Sequence, residues 1–594
     1  MSQMNRREFV YTLAMLGASA PLFANSHMRI APEGKLSDYY KLKPFGNARI
    51  LHMTDSHAQL VPVYFREPSV NLGIGENYGK PPHIVGEHFL KYYGMEGNKR
   101  LEYALTCLHF NEHAKAMGRM GGFAQLKTVV DFLRGDFGKD KTLLLDGGDT
   151  WQGSWTSLQT RGKDMVGAMN LLGVDVCTGH WEFTYTEQEI LENLKMLKAE
   201  FVAQNVKVKE DAIMEEKFKP YDEDEGWAFK PYTMKKLGKA RVAVIGQAFP
   251  YTTIANPKRF IPDLTFGIDT EGMQEVVDMV RKKEKPDAVI VISHNGYDVD
   301  KKMAQVVTGI DFIMGGHTHD GVPEAYPVKN AKGVTYVCNA GSNGKFLNVL
   351  DLDIQNGKIK DFKFTLLPIF SDLIPEDPKM KQYIEEVRKP FAKDLNRVIA
   401  TTEVTLFRRG NFNGSWDQII CDALREVGGA DISLSPGFRW GTSVIPGQEI
   451  TFDDLATQTA MTYPETYVKE MDGKTVKMIL EDVADNLFNP DPFYQQGGDM
   501  VRTGGISYRF DPTAKMGNRL SHITLLNGKP LEPNKKYKVA GWATVNSKAP
   551  GRPIWEITEE YLKAHKHIKQ LKVDTPELVN VKGNPGITYK CNCV

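Results

Sequence analysis

The sequence has no surplus of charge of either sign. Its 594 residues carry 74 Lys and Arg against 74 Asp and Glu, a formal net charge of zero. Nucleic-acid binders usually show a basic excess or patch, so that class is set aside and no nucleic-acid partner is expected. Long hydrophobic runs are missing too. The apolar stretch near the start, Tyr11 to Phe23, falls short of the roughly 20 residues a bilayer span takes, so no membrane insertion is expected. Cysteine is sparse, six in the whole chain. Cys107, Cys177, Cys338 and Cys421 are scattered and read as small core hydrophobes. Cys591 and Cys593 form a C-x-C that could be bridged, free or metal-binding. There is no internal repeat and no low-complexity tract.

What is present is ordinary globular usage, 41% hydrophobic and 25% charged. The length exceeds the roughly 250–300 residues at which single cores stop growing, so more than one domain is expected. Arg6 and Arg7 ahead of a short apolar core read as a twin-arginine export signal over residues 1–24, which implies a soluble periplasmic protein. A monomer is expected.

Apolar runs of four to six residues alternate with helical patterns from Ala48 to Ile354. This pattern suggests an α/β layered domain over 46–370. Within it, 60–118 is long, proline-spotted and aromatic-rich, and reads as an insertion folded over a site. The charged, helical-period stretch 375–397 reads as a linker helix. It leads to a smaller C-terminal α/β domain over 398–573, with 574–594 as a tail.

Five of the apolar runs end in metal-capable residues: Asp55 and His57, Asp149, His180, His294, and His317 with His319. The pair Gly315-Gly316 before the last two would let the backbone turn sharply and approach a ligand closely. A single Asp at a strand end is usually a cap, and a single His is usually no ligand. Five such ends in one chain point to one site at the carboxyl edge of a sheet. Mixed Asp and His donors suit Mn, Fe, Co or Zn better than Mg or Ca. Seven donors exceed the four or so of one ion, and with one shared carboxylate they fit two. Such a pair generates hydroxide near neutral pH and stabilises in-line displacement at a tetrahedral centre.

The order Asp-x-His, Gly-Asp, Gly-(Asn/His), Ser-His, Gly-His-x-His resembles that of the metallophosphoesterases. With the added domain, the chain resembles the 5′-nucleotidase family over about residues 46–570. The resemblance implies a metallophosphoesterase-like β-sandwich flanked by helices. It assigns Asp55, His57 and His319 to one metal and His180, His294 and His317 to the other, with Asp149 bridging. One departure is specific. Where the nucleotidases read Gly-Asn-His-Glu-Phe-Asp, this chain reads Gly179-His180-Trp181-Glu182-Phe183-Thr184. The family's catalytic histidine has become Trp181, and the aspartate that orients it has become Thr184. General acid catalysis contributes roughly 10²–10⁴-fold, so its loss should leave the chain poor on nucleotides. A sulfur anion needs no such help, because thiols are far more acidic than alcohols.

That altered motif, with Arg408–Gly414 and Tyr494–Arg502, resembles the SoxB family of the thiosulfate-oxidising system. The resemblance implies a thiosulfohydrolase with two Mn²⁺, Zn²⁺ being tolerable. It would release sulfate from a cysteine S-thiosulfonate on the SoxYZ carrier by attack of hydroxide on the sulfone sulfur. The rival is a periplasmic 5′-nucleotidase or phosphodiesterase. Asp149, Trp181 and Arg439 are the residues expected at the reaction, with Trp181 shaping a water-poor pocket. Arg409, Asn411, Arg439, Tyr494 and Gln495 are the expected substrate contacts.

Overall fold

The computed structural model describes residues 40–591. The expected signal segment 1–24 and Cys593 lie outside the described residues. The chain divides into two compact units. The first takes the chain up to Val63, Ala116–Gln152 and Gln159–Arg388; the second takes Tyr64–Lys115, Gly153–Leu158 and the chain from Lys389.

The apolar runs of the first unit become strands β1 (Ala48–Met53), β2 (Thr142–Asp146), β3 (Val176–Cys177) and β4 (Glu200–Phe201). There follow β5 (Tyr232–Leu237), β6 (Ala240–Gln247), β7 (Ala288–Ser293) and β8 (Phe312–Gly315). The last are β9 (Tyr326–Asn330), β10 (Gly333–Asn339), β11 (Phe346–Gln355) and β12 (Lys358–Pro368). One sheet runs β12-β11-β1-β2-β3-β4, the other β9-β10-β8-β7-β6-β5. Strands β1 to β4 pair in parallel, as do β6, β7, β8 and β10, and antiparallel strands occupy other places.

Side chains alternate faces along a strand. Ile50, Leu143, Leu145, Val242, Val244, Ile290, Ile292, Phe312, Met314 and Leu350 therefore meet in one core between the two sheets. Leu51, Leu144, Ile245, Val291 and Ile313, on the opposite faces, are buried as well. Burial on both faces is why these strands read as continuous apolar runs. Helices Phe123–Phe137, Lys163–Leu172 and Pro378–Arg388 pack on one another, and Tyr297–Val306 packs on β8, β9 and β10. The architecture is a layered α/β sandwich, and its parallel strands bring the loops after β1, β2, β3, β7 and β8 to carboxyl edges, where α/β sheets bind ligands.

Three boundaries differ from the sequence reading. The 375–397 helix is broken: Pro378–Arg388 is followed by a 3-10 turn, Lys389–Phe391, and a short helix, Ala392–Leu395. Pro390 lacks the N–H a continuous helix needs, and its ring crowds the preceding turn. The first piece belongs to the first unit, where Tyr383 Oη donates to Asp164 O at 2.8 Å. The 60–118 segment has regular structure in its second half. It contains helices Gly86–Tyr93, Lys99–Leu105 and Phe110–Met117. Most of it, Tyr64–Lys115, belongs to the second unit, where Leu72 joins the core and its N–H reaches Asn411 Oδ1 at 2.7 Å. The described part of the 574–594 tail, up to residue 591, is knitted in as well. Glu577–Leu578 pairs with Ile506–Phe510, and Val581 and Ile587 join the same core.

Cys107 is not a core thiol: it is disulfide-bonded to Cys591, 484 residues away. Cys177, Cys338 and Cys421 are buried free thiols. The second unit is also mixed α/β. Its four-stranded sheet runs Thr466–Asp472, Lys536–Trp542, Ile432–Ser435, Arg502–Gly504, beside helices Ser415–Gly428 and Gly473–Phe488. No helix among the described residues is long and apolar enough to cross a membrane.

Candidate metal centre

All seven residues singled out at strand ends converge in the first unit. They fall into two groups that share Asp149: Asp55, His57, Asp149 and His319; and Asp149, His180, His294 and His317. Within each group one donor atom per residue lies within 4.8 Å of every other. His57 Nε2 is 3.0 Å from His319 Nε2, which is 3.2 Å from Asp55 Oδ1. His294 Nε2 lies 3.0 Å from Asp149 Oδ2, and His180 Nδ1 lies 3.3 Å from the same carboxylate. None of the seven is more than 8% exposed, and ionisable groups so buried need a compensating charge.

The loops that carry them are strained. Asp55, His57, Asp149, His317 and His319 all have positive φ, between 45° and 74°. Such backbone costs of order 1–3 kcal/mol per residue and persists only where the surroundings over-determine it. Here they do. Asp55 N donates to Gly148 O at 2.8 Å, His57 N to Asp149 O at 2.8 Å, and Asn343 N to Asp55 O at 2.8 Å. The Asp55 carboxylate accepts from Thr54 Oγ1 at 2.6 Å and from His317 N at 3.0 Å. Gly315 ends β8 and neither it nor Gly316 has positive φ, so the sharp turn falls on the histidines instead. Gly316 is needed for closeness: a Cβ there would sit 2.3 Å from Thr54 Oγ1.

Glu182 has a role that its place in the motif did not disclose. Its buried carboxylate accepts from four backbone N–H groups: His180 at 2.8 Å, Thr150 at 2.7 Å, Asp149 at 3.1 Å and Trp151 at 3.2 Å. One side chain thus joins the loop after β2 to the loop after β3. Phe249, after β6, was also missed; its ring lies 4.0 Å from that of His180 and 4.2 Å, stacked, from that of His317.

The electrostatics fit cations. His57 Nδ1 faces Gln152 O at 3.2 Å and His294 Nδ1 faces Gly147 O at 2.6 Å. Carbonyl partners fix the proton on Nδ1 and leave Nε2 as the inward donor. Burial lowers His57 to about 4 and lowers His180 as well. Burial raises Asp55 to about 6. Burial works against ionised Asp149 too, but His294 and His180 outweigh it and hold the carboxyl well below its ordinary value. His294 is the counterpart: burial pulls it down, yet Asp149 and Asp55 carry it up to about 10. Two carboxylates and five imidazoles form a donor set suited to Mn, Fe, Co or Zn, and the two groups are able to hold a dimetal site.

Comparison with known proteins places this geometry. Residues 398–554 match the family described as 5′-nucleotidase, C-terminal domain. The solved structure of sulfate thiohydrolase SoxB from Thermus thermophilus is 33% identical with a TM-score of 0.84, covering 91% of this chain and 98% of that one. The chain belongs to the 5′-nucleotidase superfamily. Among curated members, UshA of Yersinia enterocolitica is 25% identical over 522 residues, which is 78% of this chain and 88% of UshA. The trifunctional nucleotide phosphoesterase YfkN of Bacillus subtilis is 26% identical over 71% of this chain, and the match spans only 30% of YfkN.

Within this superfamily member, Trp181 is 5% exposed, with its ring 4.9 Å from that of His180, and its backbone N–H donates to Asp149 Oδ1 at 2.8 Å. Thr184 is fully buried. An indole and a hydroxyl thus stand where the sequence motif of the nucleotidases has histidine and aspartate. In the second unit, Arg409, Arg439 and Arg502 gather on buried Asp499 at 3.9, 3.5 and 2.9 Å. Burial opposes the Asp499 charge, but these arginines overcome it and lower its pKa. Arg408 bonds Asp417 at 2.9 Å instead. Asn411 Oδ1 is engaged by Leu72 N, and Gln495 Nε2 donates to Asn489 O at 2.8 Å. Tyr494 is 65% exposed, on the 3-10 turn Pro492–Tyr494.

Proposed function

We propose that this dimetal hydrolase of the 5′-nucleotidase superfamily is a thiosulfohydrolase, releasing sulfate from a cysteine S-thiosulfonate on a SoxYZ-type carrier. The observation that carries the reading is Trp181, buried beside the metal-capable clusters, with Thr184 in place of a carboxylate. Likeness to the SoxB structure over 91% of the chain supports it. Likeness to the nucleotide phosphoesterase YfkN supports the alternative, a periplasmic 5′-nucleotidase or phosphodiesterase.

A nucleotide must expel an alkoxide, for which a proton donor is worth roughly 10²–10⁴-fold. Trp181 cannot supply that proton, because an indole N–H is a donor only and does not ionise near neutrality. A persulfide leaves as a stable anion. The balanced reaction is R–S–S–SO₃⁻ + H₂O → R–S–S⁻ + SO₄²⁻ + 2H⁺, in which a sulfur–oxygen bond forms and a sulfur–sulfur bond breaks. When bound, two divalent ions, proposed as Mn²⁺ with Zn²⁺ as substitute, would lower the pKa of water and neutralise charge on sulfonyl oxygens. Asp149 would be shared between them, with Asp55, His57 and His319 on one side and His180, His294 and His317 on the other. Trp181, Phe249 and the enclosing loops exclude water. Arg409 and Arg439 are the proposed anion contacts, and Tyr494 a carrier contact. Asn411 and Gln495, engaged within the second unit, are left with positioning roles. Export by the twin-arginine route to the periplasm is part of the same proposal.

The test is turnover of loaded carrier in H₂¹⁸O with metals quantified on the same sample. Sulfate bearing one ¹⁸O, with a carrier persulfide by mass spectrometry, is expected. Unlabelled sulfate, or no sulfate from metal-replete protein, overturns the reading.

A further inference from the structure

We propose that Glu102, His109 and His113 form a third metal site, in the second unit, for a zinc-type divalent cation. Glu102 lies on helix Lys99–Leu105, His109 immediately precedes helix Phe110–Met117, and His113 is within it. His113 N donates to His109 O at 3.0 Å, and the two imidazole rings lie 6.0 Å apart, edge to face. Glu102 Oε1 is 2.7 Å from His109 Nδ1 and 3.0 Å from His113 Nε2. One donor atom from each residue lies within 4.8 Å of the other two.

The turn between the helices is held rigid. Thr106 N and Oγ1 both donate to Glu102 O, at 3.0 and 2.7 Å, and Leu108 N donates to Thr106 Oγ1 at 3.2 Å. Cys107, inside the same turn, is bonded to Cys591. Three donors are therefore fixed before any ion arrives, which keeps the ordering cost of binding low. The His113 and Glu102 side chains are 9% and 15% exposed, whereas that of His109 is 63% exposed. The site is thus walled on one side and open to water on the other.

Two imidazoles and one carboxylate with an open fourth position is a zinc-type donor set; Mg²⁺ and Ca²⁺ prefer oxygen throughout. The plain alternative is a carboxylate accepting two imidazole N–H bonds with no ion. There His109 Nδ1 and His113 Nε2 each donate a hydrogen, whereas a bound cation takes the place of both. Placed on the turn that the disulfide clamps, the ion would fasten Tyr64–Lys115 within its unit.

Chelator-stripped full-length protein is dialysed against micromolar Zn²⁺ and its metal counted by mass spectrometry. His109→Asn and Glu102→Gln are each expected to bind one equivalent less than wild type, with sulfate release unchanged. Co²⁺ is expected to give visible ligand-field bands that the same variants lose in part. His109→Asn changes an exposed side chain, so it remains informative if a Glu102 or His113 variant does not fold. Equal metal content and equal Co²⁺ spectra in wild type and His109→Asn overturn the proposal.

Discussion

Replacing Glu182 by Gln should loosen the metal-bearing loops while leaving every candidate ligand side chain in place. The carboxylate serves two N–H groups with each oxygen: Thr150 and Trp151 with Oε1, Asp149 and His180 with Oε2. An amide can accept through one oxygen only. Two buried N–H groups then face an NH₂, and each orphaned donor costs about 1–3 kcal/mol. The other two bonds drop from charge-assisted to neutral, roughly halving their strength. Some relaxation is available, so a net local loss of about 2–4 kcal/mol is expected, which is about 30- to 1,000-fold in an opening equilibrium. Amide hydrogen exchange reads the very groups concerned. The amides of residues 149–151 and 180 should exchange faster by that factor, and Mn²⁺ affinity should fall with them. Burial, with Asp149 adding, raises Glu182 above its ordinary value. As pH falls through that raised value, wild-type Glu182 takes up a proton and becomes Gln-like, so the difference between the two proteins should narrow in acid. Unchanged exchange at these four amides, with unchanged metal affinity, would refute the reasoning.

Restoring the acid pair through Trp181→His with Thr184→Asp should raise AMP hydrolysis about 10²-fold; an unchanged rate would show that the missing acid is not what limits it. Cys591→Ser should destabilise the second unit by about 3–5 kcal/mol, the upper part of the range for native disulfides, given the long span closed. Urea denaturation measures this, and a non-reducing peptide map without the Cys107–Cys591 link would count against it. Burial, with Asp574 adding, lifts Asp422 to about 6. A raised acid binds its proton more tightly when folded, so its contribution is full below about pH 4 and is lost as pH rises through about 6. Asp422→Asn should therefore gain about 2–3 kcal/mol at pH 8 and nothing at pH 4; a pH-independent difference would contradict this.

The centre was legible because doubly buried parallel strands are continuous apolar runs, and Asp55, Asp149, His180, His294 and His317 each follow one closely. Edge strands carry no such signal. Tyr232–Leu237 and Tyr326–Asn330 are polar and half exposed, so neither was anticipated. Glu182 was visible as a letter of the motif, but its role depends on four backbone N–H groups that only folding assembles. The Cys107–Cys591 bond joins residues 484 apart and has no local sequence signature. The 60–118 segment read as an insertion, and its prolines and aromatics masked three short helices. The linker was misread in the opposite sense: its charge periodicity outvoted Pro390.

The most direct measurement is the ratio of kcat/KM for a carrier-derived cysteine S-thiosulfonate to that for AMP, on one metal-replete preparation. A leaving group that needs no proton, beside a site with Trp181 where an acid would stand, predicts a ratio of at least about 10². A ratio below one, with brisk AMP hydrolysis, would contradict the account.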